Sequence, residues 1–186
     1  VKNLSLFDQA RKIAKDPRAV NLGQISSISR KDFDEHETLC FSSAAPGVEY
    51  ACLLIENALL LKPNRAGRIY AGFEKLSFLQ PIVDRYLRIA DISEAVFIFG
   101  ETDWKPPRHP NIRTIPLTPE FNLSREWFLI SDSPTLRVAV VSQEEDRFEK
   151  PSDERGNFRT IKTSNQNGVV RLATAAEGLV DWSLAA

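Results

Sequence analysis

Three patterns in this 186-residue chain predict an α/β fold. Val96-Phe97-Ile98-Phe99 is a continuous apolar run closed by Gly100, the signature of a strand covered on both faces. Just before it, Leu79, Ile82, Val83, Tyr86, Leu87 and Ala90 recur at helical spacing, with Asp84, Arg85, Arg88 and Asp91 on the other side. Further on, two apolar segments flank the turn-forming Asp132-Ser133-Pro134. The prediction is a single α/β domain with a mixed sheet of about five or six strands. It contains one βαβ unit and a C-terminal antiparallel hairpin, and helices flank it.

Each element has its own basis. Leu4 to Ala14 places Leu4, Phe7, Ala10, Arg11 and Ala14 at helical spacing and stops before Asp16-Pro17, so an N-terminal helix is assigned to residues 1–19. Residues 21 to 43 are polar and mixed, with one extended-looking stretch, Thr38 to Ser42. A second helix starts near Pro46, a residue suited to a first helical turn. Val48, Ala51, Cys52, Ile55, Ala58 and Leu59 form its stripe, and Lys62-Pro63 ends it.

Arg68 to Phe73 reads as the first strand of the βαβ unit, whose parallel partner Val96 to Phe99 requires the intervening crossover helix. Ser77 and Gln80 have capping-box spacing at the start of that helix. Ile112 to Ile115, stopped by Pro116, reads as an edge strand. Glu126 to Ser131 and Leu136 to Gln143 form the hairpin. Residues 144–157 are charged or rich in Pro and Gly and read as a solvated loop. A last strand, Phe158 to Thr163, precedes a helix with Val169, Leu172, Ala173, Ala176, Leu179 and Val180 inward.

Composition narrows the function classes. With 42% hydrophobic and 26% charged residues, the chain is of ordinary globular type. Its 24 Lys and Arg against 25 Asp and Glu leave a net charge of -1, without the basic excess that a general nucleic-acid binder uses. No apolar run nears the roughly 18 residues of a membrane span. Val1-Lys2-Asn3-Leu4 lacks a secretory signature, and Cys40 and Cys52 have no framework spacing, so a reducing cytoplasm is expected. Methionine is absent even at position 1, which fits a removed initiator or a chain cut from a longer one.

The residues resemble the DICT sensory domain of diguanylate cyclases and two-component systems, in its cyanobacterial type. The resemblance rests on Phe73, Arg85-Tyr86, Ile89-Ala90, Val96 to Phe99, Glu126-Trp127 with the strand it opens, and Phe158-Arg159-Thr160. Asn21-Leu22-Gly23 and Ala51 to Asn57 extend it to roughly residues 20 to 180. It divides the chain into a helix at 1–19 and a DICT-like sensory domain at 20–186. It implies a signal-input module, in light responses among others, that relays to a diguanylate cyclase of cyclic-di-GMP signalling, a histidine kinase or another signalling partner. With no output domain after Ala186, the chain is expected to be a stand-alone sensor or an excised input domain.

Five residues are candidates for ligand contact: Phe73, Arg85, Tyr86, Glu126 and Trp127. Glu126, opening an apolar strand, either has its acidity weakened by burial and meets a ligand, or pairs with Arg85 or Arg125. Phe73, Tyr86 and Trp127 either flank a flat ligand or are core. Cys52 either carries a linear tetrapyrrole through a thioether or packs inward as a small hydrophobe. His36 and Cys40 have the i, i+4 spacing of helix-borne zinc ligands, but the segment reads as loop or strand and no second pair of ligands accompanies them. No metal is expected there.

The phosphate loop, the dinucleotide glycine fingerprint, Cys-x-x-Cys and the nucleophile elbow are all missing from the sequence. His36 and His109 sit in loop-like contexts, and Trp104 to Pro110 is a Pro-rich connection. The first reading is therefore a cytoplasmic, non-enzymatic sensor with a small ligand or chromophore of unknown identity. Its state would change affinity for a signalling partner or for a second copy in a homodimer. A ligand-free protein-interaction scaffold is the alternative, and an enzyme using Glu126 as base a third reading.

Overall fold

In the computed structural model, which describes residues 1–62, 64–145 and 156–186, one mixed sheet runs through the whole chain. Its strands are β1 (Val20–Gln24), β2 (Thr38–Ala44), β3 (Asn64–Lys75), β4 (Ser93–Glu101), β5 (Ile112–Pro116), β6 (Glu126–Asp132), β7 (Arg137–Glu144) and β8 (Asn157–Thr163). They lie in the order β1-β2-β8-β7-β6-β3-β4-β5. The helices are α1 (Leu6–Ile13), α2 (Arg30–Glu35), α3 (Ala45–Leu61), α4 (Val83–Asp91) and α5 (Gln166–Ala185).

The βαβ unit is present, with β3 and β4 parallel around α4. β6 and β7 form the antiparallel hairpin, from Glu126↔Gln143 to Asp132↔Arg137. β5 lies at the edge of the sheet, where a proline at the strand end removes no ladder bond. The connection from β2 through α3 to β3 passes over the three strands β8, β7 and β6.

Period-two alternation sorts the apolar side chains into two layers. Ile69, Ala71, Phe73, Val96, Ile98, Trp127, Leu129, Val138 and Val140 face α3 and α4. Tyr70, Phe97, Phe99, Phe128, Ile130, Ala139 and Val141 face α1 and α5. The continuous apolar run of β4 is thus explained by its two covered faces. Gly72 is held small by the second layer, because a Cβ there would lie 2.1 Å from the ring of its cross-strand neighbour Phe128.

The sheet has eight strands rather than five or six. β1 lacked a signal because it is short and mostly polar. It also turns at Gly23 (φ 68°), whose N–H donates to Asn21 Oδ1 at 2.9 Å. α2 was missed because it is six residues long and buries only Phe33. The expected capping box does not form: the Ser77 hydroxyl and N–H both donate to Asp103, at 2.5 and 2.9 Å. Leu76–Ile82 is instead a 3-10 segment containing Pro81, and α4 begins only after it. Most of the loop expected at 144–157 lies outside the described residues.

Candidate functional site

The residues of the candidate site converge near the carboxyl end of β3. Phe73 of β3 pairs across the ladder with Trp127 of β6, and both side chains turn toward the α3–α4 layer. Cross-strand aromatic pairs of this kind form a rigid floor. The Phe73 ring meets Tyr86 edge-on at 5.5 Å, and Trp127 meets Phe158 edge-on at 5.6 Å. After Phe73 the strand is irregular. Glu74 adopts φ 61°, an uncommon conformation for a residue with a side chain, and the β3–β4 register shifts between Gly72 and Lys75.

Above this floor a cleft of about 550 Å³ opens between α3 and the Leu76–α4 segment. One wall is the face of α3 carrying Glu49, Cys52, Leu53 and Glu56, residues that helical spacing stacks together. The other is formed by Phe78, Pro81, Ile82 and Arg85, while Tyr50 and Phe78, each 37% exposed, stand at the rim. Pockets of this volume, apolar with a few polar groups, suit small molecules.

The polar centre of the cleft is Glu56. Its side chain is 2% exposed, and Oε1 accepts from Arg85 Nη1 at 2.8 Å. Oε2 is sealed from solvent, with the Tyr86 hydroxyl beside it. Burial pushes the Glu56 carboxyl above its ordinary range, opposed by the nearby Tyr86 hydroxyl and the Arg85 guanidinium. Tyr86, 1% exposed, has its own phenol pushed well up, first by burial and then by the Glu56 charge.

Of the residues singled out from sequence, Phe73, Arg85 and Trp127 line this cleft and Tyr86 packs behind Phe73 without lining it, whereas sequence reasoning passed over Glu56. The available signal was its spacing: four residues after Cys52 and three before Leu59, it falls on the inward stripe of α3. Cys52 lines the same cleft at 6% exposure. Burial and the neighbouring Glu56 and Glu49 charges hold its thiol well above the ordinary range, so little thiolate is available for thioether chemistry.

Glu126 belongs elsewhere. Adjacent strand residues point to opposite faces, so Glu126 turns toward α1 while Trp127 enters the cleft. The expected pairing with Arg85 or Arg125 is replaced by a helix anchor. Glu126 Oε2 accepts from the backbone N–H groups of Leu6 and Phe7 at 3.0 Å each, and Oε1 from the Ser5 hydroxyl at 2.5 Å. The Ser5 oxygen in turn accepts from Asp8 N–H at 3.0 Å, which caps α1. Glu126 is fully buried, and burial, outweighing these three donors, pushes its carboxyl up to about 7.

His36 ends α2 and Cys40 lies in β2, so they do not share a helical face. Among the described residues, no group of three or more His, Cys, Asp and Glu gathers that could hold a metal ion. A more open groove of about 650 Å³ follows the Pro-rich connection, lined by Trp104, Pro106, Pro107 and Ile112. Its His109 is engaged with Asp91 at 2.7 Å. No helix among the described residues is long and apolar enough to cross a membrane.

The fold and cleft define an α/β/α domain with an aromatic-floored recess at the carboxyl edge of its parallel strands. Residues 51–145 match the model of the DICT family, described as the sensory domain in diguanylate cyclases and two-component systems, and the chain belongs to that family. The matched segment contains the floor, the Glu56–Arg85 pair and Glu126. Among solved structures, polyphosphate kinase from Porphyromonas gingivalis is similar with a TM-score of 0.55 and 13% identity, over 83% of this chain and 29% of that one. At that identity the likeness concerns the fold alone. NucT from Helicobacter pylori aligns with a TM-score of 0.40 and 12% identity, over 78% of this chain and 97% of that one. No curated protein matches the chain.

Proposed function

We propose that this chain is a non-enzymatic, cytoplasmic signal-input domain in which residues 20–186 form the sensory unit and residues 1–19 an attached helix. A small ligand or chromophore in the cleft over Phe73 and Trp127 sets its state. The carrying observation is the recess itself, which holds a buried Glu56–Arg85 pair within the family-matched segment. Phe73, Arg85 and Trp127 form the ligand environment, Tyr86 backs it through its contact with Phe73, and Glu126 has the separate task of linking the sheet to α1.

That link supplies a route for the signal. Trp127 lines the cleft, and the residue before it on β6 holds the first turn of α1. α1 packs with α5 on the far face of the sheet, and α5 leaves Trp182 and Leu184 exposed at 42% and 58%. A ligand that shifts Trp127 biases the seating of α1, and with it the surface that α5 offers to a diguanylate cyclase, a histidine kinase or a second copy of this chain. Light is a stimulus this arrangement admits only through a bound chromophore.

The test is native mass spectrometry and visible absorption on protein expressed with flavins and bilins available, for wild type and Leu53→Trp. The expected result is a stoichiometric bound species, lost when the tryptophan fills the cleft. A coloured, light-shifted species would add the photoreceptor assignment, whereas a colourless one would exclude it under these conditions. If neither protein carries or takes up a ligand while both capture a partner equally, the scaffold reading replaces this one.

A further inference from the structure

β5 is the last strand on its side of the sheet, so backbone groups that turn away from β4 meet no further strand. Val96 N–H donates to Asn111 C=O at 2.8 Å, and Leu117 N–H to Gly100 C=O at 2.9 Å. Residues along a parallel ladder alternate in direction, so Asn111, Arg113, Ile115 and Leu117 spend their backbone groups on β4. Ile112, Thr114 and Pro116 direct theirs outward. The Ile112 N–H is taken by His109 C=O at 3.1 Å, and Pro116 has none. The free edge is therefore short: the N–H and C=O of Thr114, flanked by the carbonyls of Ile112 and Pro116.

This edge borders the groove of about 650 Å³ under the Pro-rich connection. The side chains of Ile112 and Thr114, two apart on one face of β5, line it together with Trp104, Pro106 and Pro107. Lys105 and Arg108 stand exposed on the same lining, and among the described residues no carboxylate lines the groove. The neighbouring acids are engaged elsewhere: Asp103 accepts from the Ser77 N–H and hydroxyl, and Asp91 meets His109. An apolar trough with two positive charges thus lies beside an open strand edge, in a chain whose net charge is -1.

That combination selects the occupant. Pairing with the β5 of a second copy would bring like charges together, which opposes it. Two cations neutralise few phosphates, so a nucleic acid gains little here. An extended peptide satisfies the outward N–H and C=O of Thr114, and acidic side chains on it match Lys105 and Arg108.

We propose that β5 is a docking edge for an extended, acidic segment of a partner protein, which adds a short strand to the sheet. Its apolar side chains enter the trough, and its carboxylates meet Lys105 and Arg108. The surface is separate from the α3–α4 cleft and does not depend on a ligand there.

The probe is a fluorescein-labelled hexapeptide of alternating glutamate and valine, compared with its lysine–valine twin by fluorescence anisotropy on the full chain. The acidic peptide should bind at least about tenfold tighter. In Lys105→Glu with Arg108→Glu the order should invert, a gain for the lysine twin that damage to the fold cannot produce. Strand addition uses only alternate N–H groups of the peptide. Of two acidic copies N-methylated either at every valine or at every glutamate, one should therefore lose at least about fivefold more affinity than the other.

Equal binding of the acidic and lysine peptides overturns the proposal, as does an order that the charge-reversed variant leaves unchanged. Equal losses in the two N-methylated copies overturn strand addition. No binding of the acidic peptide at about 1 mM overturns the docking edge altogether. Tighter binding of an oligothymidylate of matched charge assigns the groove to nucleic acid and overturns it as well.

Discussion

Two buried glutamates lie on opposite sides of the same sheet, Glu56 on α3 and Glu126 on β6, and they differ in the kind of partner each has. Glu126 has both carboxylate oxygens occupied, by two backbone N–H groups and a serine hydroxyl. Glu56 has one oxygen on the Arg85 guanidinium and the other buried beside the Tyr86 hydroxyl. Burial raises the carboxyl of each. A perturbed acid is thus not by itself a sign of function, because helix anchors perturb acids as well. What separates the two is the counter-charge: Glu56 has Arg85 at a cleft, and Glu126 has only neutral donors.

Breaking the Glu56 side of the comparison should have the largest effect. Arg85→Met leaves a buried carboxylate without its counter-charge and should cost about 3 kcal/mol in urea denaturation at pH 7.5. Adding Glu56→Gln should restore most of that loss, since the uncompensated charge is then gone. If the double variant is no more stable than the single one, the pair is not electrostatically coupled.

On the other face, the linkage of Glu126 to pH should be nearly as large. Its folded-state value of about 7 stands above the ordinary 4.5, so its favourable contribution is complete below about pH 4.5 and is lost as pH rises through 7. Relative to Glu126→Gln, wild type should therefore lose about 3 kcal/mol between pH 4.5 and 8. The neighbouring Asp8 carboxylate acts in the same direction. A constant difference between the two proteins across that range would show that the anion is accommodated without penalty.

Removing the carboxyl altogether should cost about 2 kcal/mol at pH 5, because Glu126→Ala strips acceptors from the first turn of α1. Hydrogen exchange should then rise in α1 with little change in α3. Exchange that rises equally in both helices would mean that the two faces unfold as one unit. The smallest effect should come from Ser5→Ala, about 1 kcal/mol, since it removes one donor to Glu126 and the cap to Asp8 N–H.

The sequence made the fold class legible where period and burial agree. The run Val96 to Phe99, the α4 face and the stripe of α5 carry patterns that only doubly covered strands and amphipathic helices satisfy. β1 and α2 were not legible, since five polar-rich residues and a helix with one buried side chain leave no period to detect. In the site, the aromatic residues could be found because they stand beside recognisable elements. Glu126 was singled out as a candidate for ligand contact, whereas it lies outside the cleft and its partners Ser5, Leu6 and Phe7 are about 120 residues away in the chain. Glu56 escaped because a charge within an apolar stripe reads as an interruption until the helix is seen from its end.

The strand order also bears on how the molecule is made. β2 is hydrogen-bonded to β1 and to β8, and β8 comes last in chain order among the strands of this sheet. During translation the β1–β2 ribbon and its apolar residues Leu39 and Phe41 have no seat in the sheet until residue 163 has left the ribosome. Pairings this distant form slowly because the chain entropy is lost before contacts repay it. The nascent polypeptide thus carries an unfinished sheet margin while residues 45–163 are made, which makes this stage the one at which chaperone capture or misassociation is to be expected.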